Sequence, residues 1–298
     1  MKLTHSETHG LLRKPSAAVS VLVEKPRPKV TRCGRDVARM NELKCMRVVA
    51  QFGHVRIAEL ARAVWPNARY AEQLARRTVS RLVEQGLLLP RRNALGSKSF
   101  CLTRVGATWL DARGVEAQHT LDLSSIAGAT FFHRTLATRY LVERQIEGFQ
   151  VAGEYQLLRR KVPFPMEGLV GAIRKLPDGF VWKRGPQRHF EVELIEQEAA
   201  AKARTELEKC LKAVEYTGQS LDQNGQYRVG SLVFVFDREL NHARRIMMAA
   251  TSLWGSRTHA ERVTLERRVK LVAVELRDPL VWVSSSVTTL HDYRARGI

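Results

Sequence analysis

Residues Pro177 to Leu194 read PDGFVWKRGPQRHFEVEL, and this stretch decides what the second half of the chain is. Asp178 follows a proline and opens Gly179–Lys183, a run with the aromatic and β-branched content of a strand. A turn at Gly185 and Pro186 follows. Over His189–Ile195 apolar residues alternate with Glu191 and Glu193, the period of a second strand. Residues two apart on a strand project from one face, so Glu191 and Glu193 share a face. Asp178, Glu191 and Glu193 can therefore converge as three carboxylates. Such a set suits a divalent metal that activates water at a phosphate.

The surroundings of this stretch predict a layered α/β domain over residues 130–298. TFFHRTLATRYLVERQIEG, from Thr130, has a helical period with Phe132, Leu136, Tyr140 and Leu141 on one side. Phe149–Leu158 reads as a strand, and Gln197–Thr217 as a long polar helix. Arg228–Asp237 and Val269–Leu276 read as strong strands around a helix at Asn241–Leu253. The order α-β-β-β-α-β-α-β is that of a mixed α/β domain. Glu143 or Glu147 on the first helix can add a further acid. His133, in a helix beside aromatics, reads as a packed core residue.

The same order, with PD ahead of an acidic strand, resembles the PD-(D/E)xK nucleases. The resemblance implies Asp178 and Glu191 as Mg²⁺ or Mn²⁺ ligands, with Glu193 and Lys202 in the catalytic set. The departure is at the lysine. The triplet is Glu191-Val192-Glu193, with Glu where the pattern has Lys, and Lys202 on the next helix is the displaced replacement. A nuclease-like scaffold without cleavage, and so without a cofactor, is the leading expectation; a metal-dependent DNA endonuclease is the alternative.

The front of the chain carries the charge. The net charge is +19, and residues 1–120 hold 22 Lys/Arg against 9 Asp/Glu. An excess this large points to a polyanion, nucleic acid first. Residues 1–34, with Pro15, Pro26 and Pro28, read as a basic flexible arm. Residues 35–117 read as three helices and a hairpin: a helix ending at Gly53 with Val37, Met40, Leu43, Met46, Val49 and Ala50 inward; a short one ended by Pro66; a third ended by Gly86 with Leu74, Val79, Leu82 and Val83 inward; then two strands around Asn93–Gly96, and a further helix from Arg104. Residues 118–129 read as a linker.

Three helices followed by a hairpin is the order of a winged helix-turn-helix. Val79, Leu82 and Gly86, followed by Leu102, Thr103 and Gly106, resemble bacterial winged-helix proteins. In that arrangement the third helix enters the major groove. Its outward residues are Arg69, Gln73, Arg76, Arg77, Ser80 and Arg81, where Arg suits guanine and Gln suits adenine. Arg91, Arg92 and Lys98 fall on the wing, within reach of phosphate or the minor groove.

Taken together, the winged-helix half, FHRTLATRYLV, PDGFVW, FEVEL and a helix ending KCLKAVEYT resemble the replication-relaxation family of plasmids and integrative elements. The matching positions are Pro177 and Asp178, Glu191 and Glu193, then Lys209 or Lys212 with Tyr216; Glu193 stands where that family has Asp. The resemblance implies a mobile-element protein that binds double-stranded DNA, as a transcriptional regulator or a replication or transfer accessory factor. Replication or conjugation proteins are then partners, and a homodimer suits a palindromic site. A protein-docking adaptor is a third alternative.

Other classes find no support in the sequence. Cys33, Cys45, Cys101 and Cys210 are scattered, without zinc spacing, and read as thiols of a reducing cytoplasm. No run of about 18 apolar residues suggests a membrane span. GxGxxG, Walker A and GxSxG motifs are missing. Trp65, Trp109, Trp182, Trp254 and Trp282 are dispersed and read as core.

Overall fold

The computed structural model describes residues 33–119, 126, 130–185, 187–198, 202–239, 241–277 and 280–297. The expected basic arm, apart from its last two residues, and most of the expected linker lie outside the described residues.

The first lobe is built from α1 (Gly34–Phe52), β1 (His54–Arg56), α2 (Ile57–Val64), α3 (Ala71–Glu84), β2 (Leu88–Arg92), β3 (Lys98–Leu102) and α4 (Arg104–Asp111). Gly53 stops α1 at φ 78, and its N–H returns to the Val49 carbonyl, a conformation that glycine adopts without a Cβ penalty. The three strands form an antiparallel sheet in the order β1-β3-β2, with Cys101 facing His54 on one side and Leu89 on the other. Asn93 shapes the β2–β3 turn. Its Oδ1 accepts from the N–H of Leu95 at 3.0 Å and of Ser97 at 3.2 Å, and Gly96 takes the positive φ. Thr103 caps α4 by accepting from the Gly106 N–H.

The inward faces differ from expectation at their ends. Met46 and Val49 of α1 are buried, but Val37 and Met40, in its first two turns, are exposed. In α3 the core face is Ala75, Thr78, Val79 and Leu82; Leu74 and Val83 are half-buried at its borders. Strand β1 is three residues long and carries no periodicity of its own.

The second lobe runs α5 (Thr130–Ile146), β4 (Gln150–Gly153), α6 (Glu154–Leu157), α7 (Glu167–Ile173), β5 (Gly179–Arg184), β6 (Phe190–Glu198), α8 (Arg204–Lys212, with a 3₁₀ turn to Tyr216), β7 (Tyr227–Asp237), α9 (His242–Trp254), α10 (His259–Arg267), β8 (Val269–Arg277), β9 (Val281–Thr289) and α11 (Leu290–Ala295). The chain is thus mixed α/β. Its six-stranded sheet has the order β4-β5-β6-β7-β8-β9. Pairs β6–β7 and β7–β8 are parallel, and the others antiparallel. The two parallel crossovers add strands in one direction and pack both α8 and α9 on one face, as crossovers of a single hand require. Helix α5 and the first lobe cover the other face.

Several expected elements end elsewhere. The strand at Phe149 lasts only to Gly153 and turns into α6. In α5 the core aromatic is Phe131; Phe132 is exposed. Gln197 and Glu198 belong to β6, not to a helix, and α8 begins only at Arg204. The pleated alternation of β6 runs on through charged residues, whose polarity resembles the helix that follows.

The lobes share one core. Val48 and Phe52 of α1 cluster with Leu141, Val142, Val151, Val181, Ile195 and Val272. Gln51 donates to the Val151 carbonyl at 3.0 Å, and Arg62 of α2 pairs with Glu143 of α5 at 2.6 Å. Arg139, one turn before Glu143, joins that pair at 2.8 Å.

Candidate nucleic-acid interface and the buried carboxylate cluster

Helix α3 turns one arc outward. Arg69, Gln73, Arg76, Arg77 and Ser80 are exposed. Arg76 pairs with Glu72 at 3.3 Å on the open surface, and Arg69 lies over the Tyr70 ring at 5.3 Å. Arg77 has no ion-pair partner among the described residues. Arg81 sits at the edge of this arc and donates to Glu42 of α1 at 3.0 Å, so half of its role is to tie α3 to α1. On the β2–β3 hairpin, Arg92 and Lys98 are exposed and Arg91 is half-buried; Arg92 reaches the Gly96 carbonyl.

Between α3 and the hairpin lies an open groove of about 710 Å³. Val79, Val83, Pro90 and Phe100 form its floor, and Arg76, Ser80 and Lys98 its rim. Arg56, at the start of α2, closes one end; it pairs with Glu59 at 2.5 Å. The cations of the arc and hairpin outnumber the two acids beside them, Glu72 and Glu84. Of the sequence-predicted residues, Arg76, Ser80 and Lys98 thus meet at one groove, while Arg69, Gln73, Arg77 and Arg92 are exposed on or beside the same elements and Arg81 is tied to α1.

The three predicted carboxylates do not converge. Gly179 pairs with Ile195 and Val181 with Glu193, so the strand position facing Asp178 is that of Glu196. Glu191 is five residues further along β6, about 17 Å away, exposed at the opposite end of the strand. Glu193 is buried on the face toward α5, where it accepts from Arg144 at 3.2 Å and from Lys270 at 2.5 Å. Strand register, invisible in a single sequence, separates the acids.

Asp178 meets a different set. The Gln197 N–H donates to its Oδ2 at 2.7 Å, and His133 Nε2 lies 2.9 Å from its Oδ1. His133 is therefore a partner of the acid and not simply a packed ring. Glu196 pairs with Lys175 and lies 3.6 Å from Lys202, while Lys202 donates to Glu198 at 2.7 Å. Lys175 also donates to the Cys210 sulfur at 3.2 Å. Glu143 and Glu147 face other partners, Arg62 and Arg144. Of the predicted catalytic residues, only Asp178 and Lys202 join this cluster.

Burial and the two lysines dominate the electrostatics of the cluster. Burial raises the Glu196 carboxyl, and the charge of Asp178 adds to it. Burial likewise raises Glu198. For Asp178 burial also acts upward, but the His133 hydrogen bond and charge, Lys175 and the Gln197 N–H outweigh it and hold the carboxyl low. Burial acts to lower both lysines, and Glu196 foremost overcomes it, so both are held cationic. Two ammonium groups thus occupy the space among three carboxylates.

Lys175 and Lys202 both reach Glu196 Oε2, and Lys202 donates to Glu198 Oε1, so a divalent metal at those oxygens would have to displace an ammonium; Glu198 Oε2 is buried without a hydrogen-bond partner among the described residues. Among the described residues, no group of three or more His, Cys, Asp or Glu side chains is arranged to hold a metal ion. A slot over Asp178, beside His133 and Tyr155, holds about 20 Å³, room for one water.

Glu196, Glu198 and Lys175 were not singled out in the sequence. The signal was present in the alternation Leu194, Glu196, Glu198, which continues β6 beyond Ile195. Among the described residues, no helix is long and apolar enough to cross a membrane. No family model, curated protein or solved structure matches this chain.

Proposed function

We propose that this protein binds duplex DNA through α3 and the β2–β3 hairpin, in the manner of a winged helix. One observation carries the reading: Arg76 of α3 and Lys98 of the hairpin rim one groove, and Arg69, Gln73, Arg77 and Arg92 are exposed on or beside the same two elements, with few acids to offset them. A solvated face needs no such convergence of two elements. In this reading α3 enters the major groove, with Arg and Gln at base edges, and the hairpin cations hold phosphate. The second lobe is a nuclease-like sheet whose carboxylates are neutralised internally, and it does not cut. A regulator or accessory factor of a mobile element, paired two-fold on a palindrome, is the role this reading favours.

A second reading has its own observation. Asp178 and Glu196 face each other across β5 and β6 with Lys202 beside them, the relative placement a metal-dependent endonuclease needs. It requires Lys175 to leave Glu196.

Labelled duplexes mixed with the protein in EDTA, then in Mg²⁺ or Mn²⁺, separate the two. The regulator retards a specific fragment in EDTA and leaves DNA intact in metal. Arg76→Ala with Arg77→Ala weakens that binding, more so at low salt, where phosphate contacts release counterions. Metal-dependent nicking abolished by Asp178→Ala or Glu196→Ala establishes the endonuclease instead. Binding unaffected by the double arginine variant returns the lobe to a protein-docking role.

A further inference from the structure

We infer that the β8–β9 hairpin is a third element of the DNA-contacting face, and that Arg277 is the residue by which the second lobe holds the phosphate backbone. The inference rests on the DNA-binding reading above and deepens it.

The groove between α3 and the β2–β3 hairpin is not built by the first lobe alone. Val281, the first residue of β9, lines it together with Arg76, Lys98 and Phe100, and is 53 % exposed there. Arg277 is the direct cross-strand partner of Val281. Residues opposed in an antiparallel pair project from the same face with Cβ atoms about 5 Å apart. The Arg277 side chain therefore leaves the hairpin on the same face as Val281, next to the residue that lines the groove. It is exposed and has no ion-pair partner among the described residues.

Leu280, which precedes Val281, is anchored. Arg56 Nη2 donates to the Leu280 carbonyl at 3.2 Å, and the same guanidinium is fixed by the buried Glu59. Leu280 holds φ 66, a region that a bulky L residue rarely enters. Such a conformation persists where the surroundings over-determine it, often at functional surfaces. A helix in the major groove has a phosphate strand on each side, because that groove is only about 12 Å wide. On the side of α3 that carries Glu72, Arg76 and Val83, the elements within reach of such a strand are the β2–β3 hairpin and, through Val281 and Arg277, the β8–β9 hairpin.

Fluorescence anisotropy with a labelled mixed-sequence duplex of about 30 base pairs, titrated over a salt series, tests this on the full chain. Arg277→Ala is expected to raise Kd about five-fold near 100 mM salt and to reduce the slope of log K against log salt by about one. Arg277→Lys keeps the charge and restores most of the affinity. Arg267→Ala is the control: it removes an exposed cation at the end of α10, before the start of β8, a strand that itself spans about 26 Å, and leaves Kd within about two-fold. Thermal melting of each variant reports its folding. An Arg277→Ala protein that melts like the wild type and binds within two-fold of it overturns the inference while Arg76→Ala with Arg77→Ala still loses binding. A loss matched by Arg267→Ala overturns it too, as a mere effect of net charge. A wild-type protein that binds no duplex overturns the DNA reading itself.

Discussion

Lys175 is the side chain on which the second lobe's interior depends. Its ammonium is shared between Glu196 and Cys210, and Glu196 is 1 % exposed. Removing one partner of a buried pair leaves an uncompensated charge, at about 3 kcal/mol or more. Lys175→Met is therefore expected to lower unfolding free energy by about that amount in urea titration. Adding Glu196→Gln should recover most of it; a double variant no better than the single would show that the pair is not the cause. His242 offers a pH test. Burial, then Arg245, lowers its pKa below the ordinary 6.5. A group depressed in the folded state contributes stability that is full above its unfolded pKa and is lost as pH falls through the folded one. Stability should thus decline on acidification below about 6.5, and the decline should be smaller in His242→Gln. Thiol chemistry gives a third residue-scale expectation. Burial pushes Cys45 and Cys210 up to about 12, while Cys33 is exposed. Cys33 should be alkylated first in the native protein, and Cys33→Ser should remove that fast phase.

At the scale of elements, the link between α1 and β1 joins the lobes. A Cβ on Gly53 would stand 2.5 Å from the Tyr155 ring of α6, at a φ of 78. Gly53→Ala meets both the steric clash and the backbone penalty. A loss of about 2–4 kcal/mol is expected, read as a fall in melting temperature; an unchanged melt would mean that the α1–α6 contact yields freely. The element most informative about function is β6. Its last three residues carry two of the three clustered carboxylates, and its register decides which acids meet Asp178. Amphipathic alternation was readable as far as Ile195. Beyond that, Glu196-Gln197-Glu198 has the composition of an exposed helix, and only pairing with Asp178 on one side and with Phe234 to Phe236 of β7 on the other marks it as strand.

For the whole molecule the shared core matters most. Apolar residues of α1, α2 and α3 belong to the same cluster as the sheet residues Val181, Ile195, Val233 and Val272, and the Arg62–Glu143 pair crosses the same boundary. Two lobes that bury each other's apolar faces unfold together. Calorimetry should show one transition whose calorimetric and van't Hoff enthalpies agree; two resolved transitions would separate the lobes. The same continuity brings the second lobe's edge hairpin to the groove of the first.

The sequence alone determined the periodic parts. The helices and hairpin of the first lobe, its basic residues from Arg69 to Lys98, and five of the six strands of the second half follow from local spacing, turn residues and charge, which act over a few neighbours; β1 and β9 did not. It also marked Asp178 as an acid at a strand's start. Tertiary structure alone decided the partners. Glu191 and Glu193 looked adjacent to Asp178 because they are close in sequence, yet antiparallel register brings Glu196 opposite it and draws in Lys175, Lys202 and His133 from separate elements. It likewise carried Val281, some 200 residues beyond α3, to the same groove, with Arg277 as its cross-strand partner. Side-chain period is a local property, whereas register and lobe docking are set by which apolar faces exclude water together.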